Sequence, residues 1–232
     1  LRSEIFNDHY KANFIGAVNV LESIRIINEK FKKSVRVLLM GSASEYGKNF
    51  DYSLDEETEP MPLTHHGLSK AVQTFISKIC FLRDGIDVII ARPSNIIGPS
   101  QKGDFVIPVI INQILKMKRG DTEKKLVLGN IDSERDFIDV RDVVNGVALL
   151  MEKGTSGSIY NLATNKCYSI KEVIDIVKSS TGKDFNVVSD KKNIQKNDVP
   201  FISMSYNKIR KELGWSPKYS LRETLKNMIK DG

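Results

Sequence analysis

The chain is 232 residues long, with 41% hydrophobic and 28% charged residues, the balance of a globular protein with one large or two modest cores. No run reaches the ~18 apolar residues of a membrane helix, and the opening L-R-S-E-I-F-N-D-H-Y carries charges where a signal peptide needs an apolar core. The net charge of +6 suits an anionic small molecule better than nucleic acid, because the densest basic group (Lys191, Lys192, Lys196) has no interleaved aromatics.

In chain order, Asn7 or Asp8 can cap a helix over about 9–28, with Tyr10, Phe14, Ala17, Leu21 and Ile24 on its apolar side. Residues 34–40, S-V-R-V-L-L-M, form an apolar run of strand length that stops at Gly41-Ser42-Ala43-Ser44-Glu45-Tyr46-Gly47. Open α/β sheets place ligand chemistry at such carboxyl ends. The acidic stretch 47–61 reads as a solvated loop. A helix over 66–83 follows Pro60 and Pro62. Its Leu68, Ala71, Val72, Phe75, Ile76 and Ile79 recur at helical spacing and predict one buried stripe, with His66 and Lys70 on another face. Residues 85–91 predict a buried parallel strand that runs into Arg92-Pro93-Ser94-Asn95-Ile96-Ile97-Gly98-Pro99. A helix over 105–118, a strand over 126–130 and then Arg135-Asp136-Phe137-Ile138-Asp139-Val140-Arg141-Asp142 come next. Beyond them lie a helix over 143–151, a strand over 159–163 and a helix reaching Thr181, capped by Ser169 with Glu172 at the capping-box position. The chain ends on Leu213-Gly214-Trp215-Ser216-Pro217, with no internal repeat.

These stretches together resemble the extended short-chain dehydrogenases/reductases, the NAD(P)-dependent nucleotide-sugar epimerases, dehydratases and reductases. The resemblance covers nearly the whole chain. The family's Y-G-x-S-K stands here as His66-Gly67-Leu68-Ser69-Lys70, so His66 occupies the place of the proton-passing Tyr. The resemblance implies that Lys70 tunes that proton donor and holds the nicotinamide ribose, and that Ser42 hydrogen-bonds the sugar oxygen undergoing redox change. Asn13 would order water near Lys70. Pro93, Ser94 and Ile96 would lie by the nicotinamide of NADP or NAD. Ala43, Ser44 and Asn95 would contact the sugar nucleotide, and Arg135 would fork onto its diphosphate. Relatives carry a further nucleotide-binding Arg near the end, where this chain has Lys196. No metal ligands are implied.

The implied fold is α/β: a Rossmann-type doubly wound parallel sheet (residues 1–96 and 140–164) with a smaller α/β nucleotide-sugar lobe (97–139 and 165–232). The family's opening strand–G-x-x-G-x-x-G–helix is absent from the 232 residues, which points to a chain read from inside a longer one. Family dehydratases place an acid two or three residues before the Tyr at position 46. Ala43 and Ser44 stand there, which favours a reductase over a dehydratase. Within the family, L-G-N-x-x-x-x-R-D-F-x-D-V-R-D (128–142) with N-I-I-G-P-S-Q (95–101) most resembles the GDP-4-keto-6-deoxymannose reductases and GDP-mannose 4,6-dehydratases, which implies 4-keto reduction of a GDP-deoxyhexose. The alternatives are a nucleotide-sugar 4-epimerase and, because imidazole is shorter than phenol, a sugar-nucleotide binding protein that has lost turnover. As a Tyr replacement, His66 is expected to cost ~10²-fold or more in activity. Helices 9–28 and 66–83 resemble those that pair subunits into a four-helix bundle, implying a homodimer. Two cysteines in unrelated contexts, Cys80 and Cys167, suit a reducing, cytoplasmic compartment.

Overall fold

The structure, a computed structural model, describes residues 6–47, 53–103, 105–120, 125–182, 184–190 and 201–231. One helix opens it: α1 (Phe6–His9), a π-helical stretch (Tyr10–Ile15) and α2 (Gly16–Phe31) run on without a break. The Gly16 N–H bonds the Lys11 carbonyl five residues back, which widens the helix there. Asn7 and Asp8 lie inside the first turn and so cap nothing at His9, a correction to the expected start. Ala17, Leu21 and Ile24 are buried as their spacing requires.

The first sheet is parallel, in the order β1 (Val37–Met40), β2 (Val88–Pro93), β6 (Ile159–Leu162). Val37 pairs with Val88 and Ile90 with Ile159, which fixes both registers. Side chains alternate between its faces. Val37, Leu39 and Val88 join Leu21 and Ile24 of α2 and Ile76, Cys80 and Phe81 of α3 (His65–Asp84). Leu38, Met40, Ile89 and Ala91 instead meet Val143 and Leu150 of α5 (Val140–Lys153), along with Trp215. Helices on both faces of a parallel sheet make the doubly wound arrangement.

Most of the remaining chain builds a second region, while residues 206–215 return to pack on the first sheet. A mixed sheet sets β3 (Asn95–Ile97) and β7 (Cys167–Ser169) beside β5 (Glu134–Asp139), with β9 (Phe201–Ile202) pairing β5 as well. A parallel pair joins β4 (Lys125–Leu128) to β8 (Asn186–Ser189). Between them α4 (Val106–Arg119), α6 (Ile170–Thr181) and α8 (Leu221–Asp231) bury an aliphatic core that includes Ile110, Ile114, Val173, Val177 and Leu225. The Ser169–Glu172 capping box opens α6 as expected. The short α7 (Asn207–Leu213) leads to Trp215, which is buried edge-to-face against Tyr206.

Two further expectations are overturned. Leu68, Phe75 and Ile79 are exposed, and Val72 and Ile76 only half-buried. The inward face of α3 is instead Gly67, Ser69, Ala71, Gln73, Thr74 and Ser77. The reason lies beneath the helix, where Glu45 and Arg92 rise from the sheet and need polar partners that an aliphatic stripe could not supply. The stretch at 53–57 is also not simply solvated. Leu54 is buried and bridges Met204, and Glu56 accepts the Asn161 N–H at 2.7 Å, covering the outer edge of β6.

Candidate active site

β1 ends at Met40, and the chain turns through Gly41 into a 3-10 turn (Ala43–Glu45). Ser42 caps that turn by accepting the Ser44 N–H at 3.1 Å, while Glu45 Oε1 accepts the Ser42 N–H at 2.9 Å. The half-buried Ser42 and Ser44 hydroxyls lie 2.9 Å apart. Ala43 points inward beside Tyr46 and Leu54, so only its backbone can meet a ligand.

α3 starts directly on this turn. Thr64 caps it by accepting the Gly67 N–H at 3.0 Å. A Cβ at Gly67 would strike the Ser44 carbonyl oxygen, so glycine is what lets the helix come this close. One turn on, Lys70 Nζ donates to the Met40 carbonyl at 2.7 Å, and Gln73 Nε2 donates to the same oxygen at 3.0 Å. Gly41 N–H bonds Ala91 on the β2 side, so by strand alternation the Met40 carbonyl faces the outer edge of β1. Two side chains thus satisfy a group that a further strand would otherwise pair. Burial holds the Lys70 ammonium below its ordinary pKa, with the Glu45 charge opposing.

Asn13 donates to Ser69 Oγ at 2.9 Å, and Ser69 donates to the His66 carbonyl at 2.8 Å. Asn13 therefore secures the first turn of α3 beneath His66, through Ser69 rather than through Lys70. The His66 ring meets the His9 ring edge-to-face at 5.6 Å, and Tyr10 Oη lies 3.5 Å from His65 Nδ1. All 3 histidines of the sequence thus collect where the opening helix meets α3.

At the end of β2, Arg92 turns inward to Glu45 (2.8 Å), with Thr74 Oγ1 donating to the same carboxylate at 2.8 Å. Arg92 also donates to Tyr46 Oη at 3.1 Å, and Tyr46 donates to Asn161 Oδ1 at 2.8 Å. Burial pushes the Tyr46 phenol up to about 12. Pro93 closes the strand. Ser94 Oγ donates to Asp136 Oδ1 at 3.1 Å, and Asn95 Nδ2 donates to the Asp136 carbonyl at 2.9 Å. Ile96 is half-buried against the Val143–Trp215 cluster.

The expected residues therefore fall into two groups. Ser42, Ser44, His66, Lys70 and Asn13 surround the end of β1. Ser94 and Asn95 gather on Asp136, beside Arg135, which stands on β5 in the second sheet and donates to the Glu134 carbonyl at 2.8 Å. Lys196 lies outside the described residues.

Sequence reasoning missed several members. Asp139 caps α5 through the Arg141 N–H (2.8 Å), and Asp142 accepts the Lys218 and Tyr219 N–H groups, each at 3.0 Å. Together with Asp136, these carboxylates make residues 135–142 a structural hub. Gln73 carried a usable signal, three residues after Lys70 and so on the same face of α3. Glu45 had one too, as an acid inside a turn of small residues.

The residues present fit the nicotinamide end of a dinucleotide, since a half-buried ammonium, a serine pair and the Pro93–Ile96 bend meet at adjacent strand ends. For the pyrophosphate end, the 232 residues contain no glycine-rich turn.

Comparison with known proteins agrees with the fold. GDP-6-deoxy-D-mannose reductase of Pseudomonas aeruginosa is 28% identical over 221 residues, which are 94% of this chain and 71% of that protein. A putative UDP-glucose 4-epimerase of Methanocaldococcus jannaschii is 30% identical, over 99% of this chain and 72% of its own length. The structure of RMD from Pseudomonas aeruginosa complexed with NADPH superposes with a TM-score of 0.86 at 28% identity, covering 94% of this chain and 72% of that one. The family described as GDP-mannose 4,6 dehydratase matches residues 7–228. The chain belongs to that family, whose members are NAD(P)-dependent nucleotide-sugar reductases, dehydratases and epimerases.

Proposed function

We propose that this chain is an NAD(P)-dependent oxidoreductase of a nucleotide-activated sugar that reduces the 4-keto group of a GDP-deoxyhexose. The observation that carries the reading is the Lys70 ammonium fixed to the Met40 carbonyl at the end of β1, beside the Ser42–Ser44 turn and on the helix that presents His66. A bound NADPH supplies the hydride. His66 gives a proton to the C4 oxygen, Ser42 polarises that oxygen, and Lys70 holds the ribose while keeping the site cationic. Asn13 positions His66 through Ser69. Pro93, Ser94 and Ile96 flank the nicotinamide; Ala43, Ser44, Asn95, Arg135 and Lys196 hold the sugar nucleotide.

A dehydratase reading is disfavoured because Glu45, the acid of that turn, is already held by Arg92, Thr74 and the Ser42 N–H. The archaeal relative named as an epimerase favours a second reading, 4-epimerisation with retained NAD. The exposed apolar stripe of α3, Leu68, Phe75, Ile79 and Leu82, together with Val20, Ile27 and Phe31 of α2, supports a homodimer through these helices. We also propose two lobes, 1–96 with 140–164 and 97–139 with 165–232, with the nucleotide sugar between them.

The test offers GDP-4-keto-6-deoxymannose and NADPH to the purified protein and follows loss of NADPH absorbance. Oxidation of NADPH supports reduction, and His66→Tyr should raise the rate by ~10²-fold, the worth of a well-placed acid. No oxidation with either variant, alongside GDP binding by calorimetry, would leave a binding protein.

A further inference from the structure

Asp136 belongs to no step of the proposed reaction, yet its carboxylate is fully buried and heavily bonded. Ser94 Oγ donates to Oδ1 at 3.1 Å, and Thr164 Oγ1 donates to the same oxygen at 2.7 Å. The Thr164 N–H reaches both carboxylate oxygens at 3.1 Å, and the Asn165 N–H reaches Oδ2 at 3.0 Å. The donors come from two places only. Ser94 is the single residue between β2 and β3, and Thr164 and Asn165 lie in the link between β6 and β7. Those are the points where the chain leaves the first sheet for the second, and Asp136 itself sits on the central strand of the second.

The backbone of the same residue completes the arrangement. Its carbonyl accepts Asn95 Nδ2 at 2.9 Å, which aims that side chain, and its chain neighbour is Arg135. Asn165 holds a left-handed φ of 58°, a conformation that Asn tolerates better than most residues and that carries its N–H to the carboxylate. Burying a carboxylate without a cationic partner is costly unless several donors converge on it. A tie between two strand crossings explains why the fold keeps it.

We infer that Asp136 is a positioning residue for the nucleotide sugar: it locks both strand crossings together and so sets Asn95 and Arg135 in their binding orientation. This rests on the reading that a nucleotide sugar lies between the two sheets. With the lock loosened, the protein stays folded but Asn95 and Arg135 lose their common frame, so affinity for the nucleotide falls while the core is unaffected.

The experiment measures GDP affinity by calorimetry and amide hydrogen exchange over 163–166 for the whole chain and for Asp136→Asn, Asp136→Ala and Thr164→Val. Asp136→Asn should weaken GDP by about 10-fold, the loss of roughly one hydrogen bond to a charged group. Exchange over 163–166 should rise by at least about 10-fold with the α4 and α6 amides unchanged. Asp136→Ala should do more and Thr164→Val less, so Thr164→Val serves if the Asp136 variants do not fold. Unchanged GDP affinity in a folded variant, or unchanged exchange over 163–166, overturns the inference. If the parent protein binds no GDP, the nucleotide-sugar reading fails by itself. The exchange result then decides alone whether Asp136 is the lock.

Discussion

The two sides of the molecule bury their helices in opposite ways. In the second region α4, α6 and α8 close on one another through Ile, Val, Leu and Met, and little apolar surface is left. Against the first sheet, α3 turns in serines, Gln73 and Thr74 above a buried Glu45–Arg92 pair and turns out Leu68, Phe75, Ile79 and Leu82. Among the described residues, every large exposed hydrophobic except Phe105 and Val188 belongs to the first side. β1 differs from β2 in the same sense: all six β2 residues are buried, while the four of β1 are half-buried along an edge that no described strand pairs. One region is closed on itself. The other presents an exposed apolar helix pair and a strand edge that no described strand pairs.

The largest test of this contrast removes the buried acid. Arg92 is 1% exposed, and its guanidinium is balanced by Glu45. Glu45→Ala leaves that charge in the interior without its partner, so about 3–5 kcal/mol of stability should be lost, read by urea unfolding. Ile110→Ala, at the centre of the closed core, should cost about 2–5 kcal/mol through lost burial and the cavity left behind. If Glu45→Ala proves as mild as a surface change, the polar interface is not what holds α3 to the sheet.

This contrast also marks what could be read from the sequence. Parallel strands over apolar runs, the α6 capping box and the succession of elements were legible because period and caps are local properties. The wrong face of α3 was not legible. Helical spacing shows that Leu68, Phe75 and Ile79 share a side, and nothing in it says which side meets the sheet. Only the position of Glu45 and Arg92 decides that, and those residues lie 29 and 18 positions from Thr74 in sequence. At the site, Ser42, His66 and Lys70 could be named because the short stretches that hold them resemble motifs of the family. Gln73 on the Met40 carbonyl, His9 against His66 and Asp136 on donors from two separate strand links arise from long-range packing.

A smaller effect separates the two regions at their junction. Burial lifts the Asp136 carboxyl from 3.8 to about 6, against the bonds from Thr164, Ser94 and Asn165, and its charge in turn helps hold the nearby Cys167 thiol up at about 11, where burial is the main cause. Between 3.8 and about 6 the native state binds this proton more tightly than the unfolded chain. The contribution to stability is therefore full below the unfolded value and is lost as pH rises through the folded one. At 1.4 kcal/mol per pH unit that is about 3 kcal/mol at most. Asp136→Asn has no such proton, so its stability relative to the parent should improve between about pH 4 and pH 7. Urea unfolding of both proteins at the two values reads the difference, and a constant gap would show that the carboxyl titrates alike folded and unfolded.

The smallest stability effect belongs to the outward face of α3, and it sharpens the contrast most. Leu82 is 79% exposed and Phe75 53%, on the same stripe. Neither side chain has much to lose in the isolated subunit, so Leu82→Glu should move its stability by less than about 0.5 kcal/mol. The same change sets a charge on the exposed apolar stripe of the proposed helix pair. Exposed apolar patches of this kind mark interaction surfaces, and an unpaired carboxylate there would have to be desolvated for two copies to meet. Sedimentation across micromolar concentrations should show the parent as a dimer and Leu82→Glu as a monomer with an unchanged urea midpoint extrapolated to the monomer. A parent that sediments as a monomer throughout would remove the second copy as the occupant of this face, leaving α3 an exposed apolar helix. A variant that unfolds would instead mean that Leu82 is buried by its own chain, and the division between an open and a closed region would fail at the residue where it is drawn most sharply.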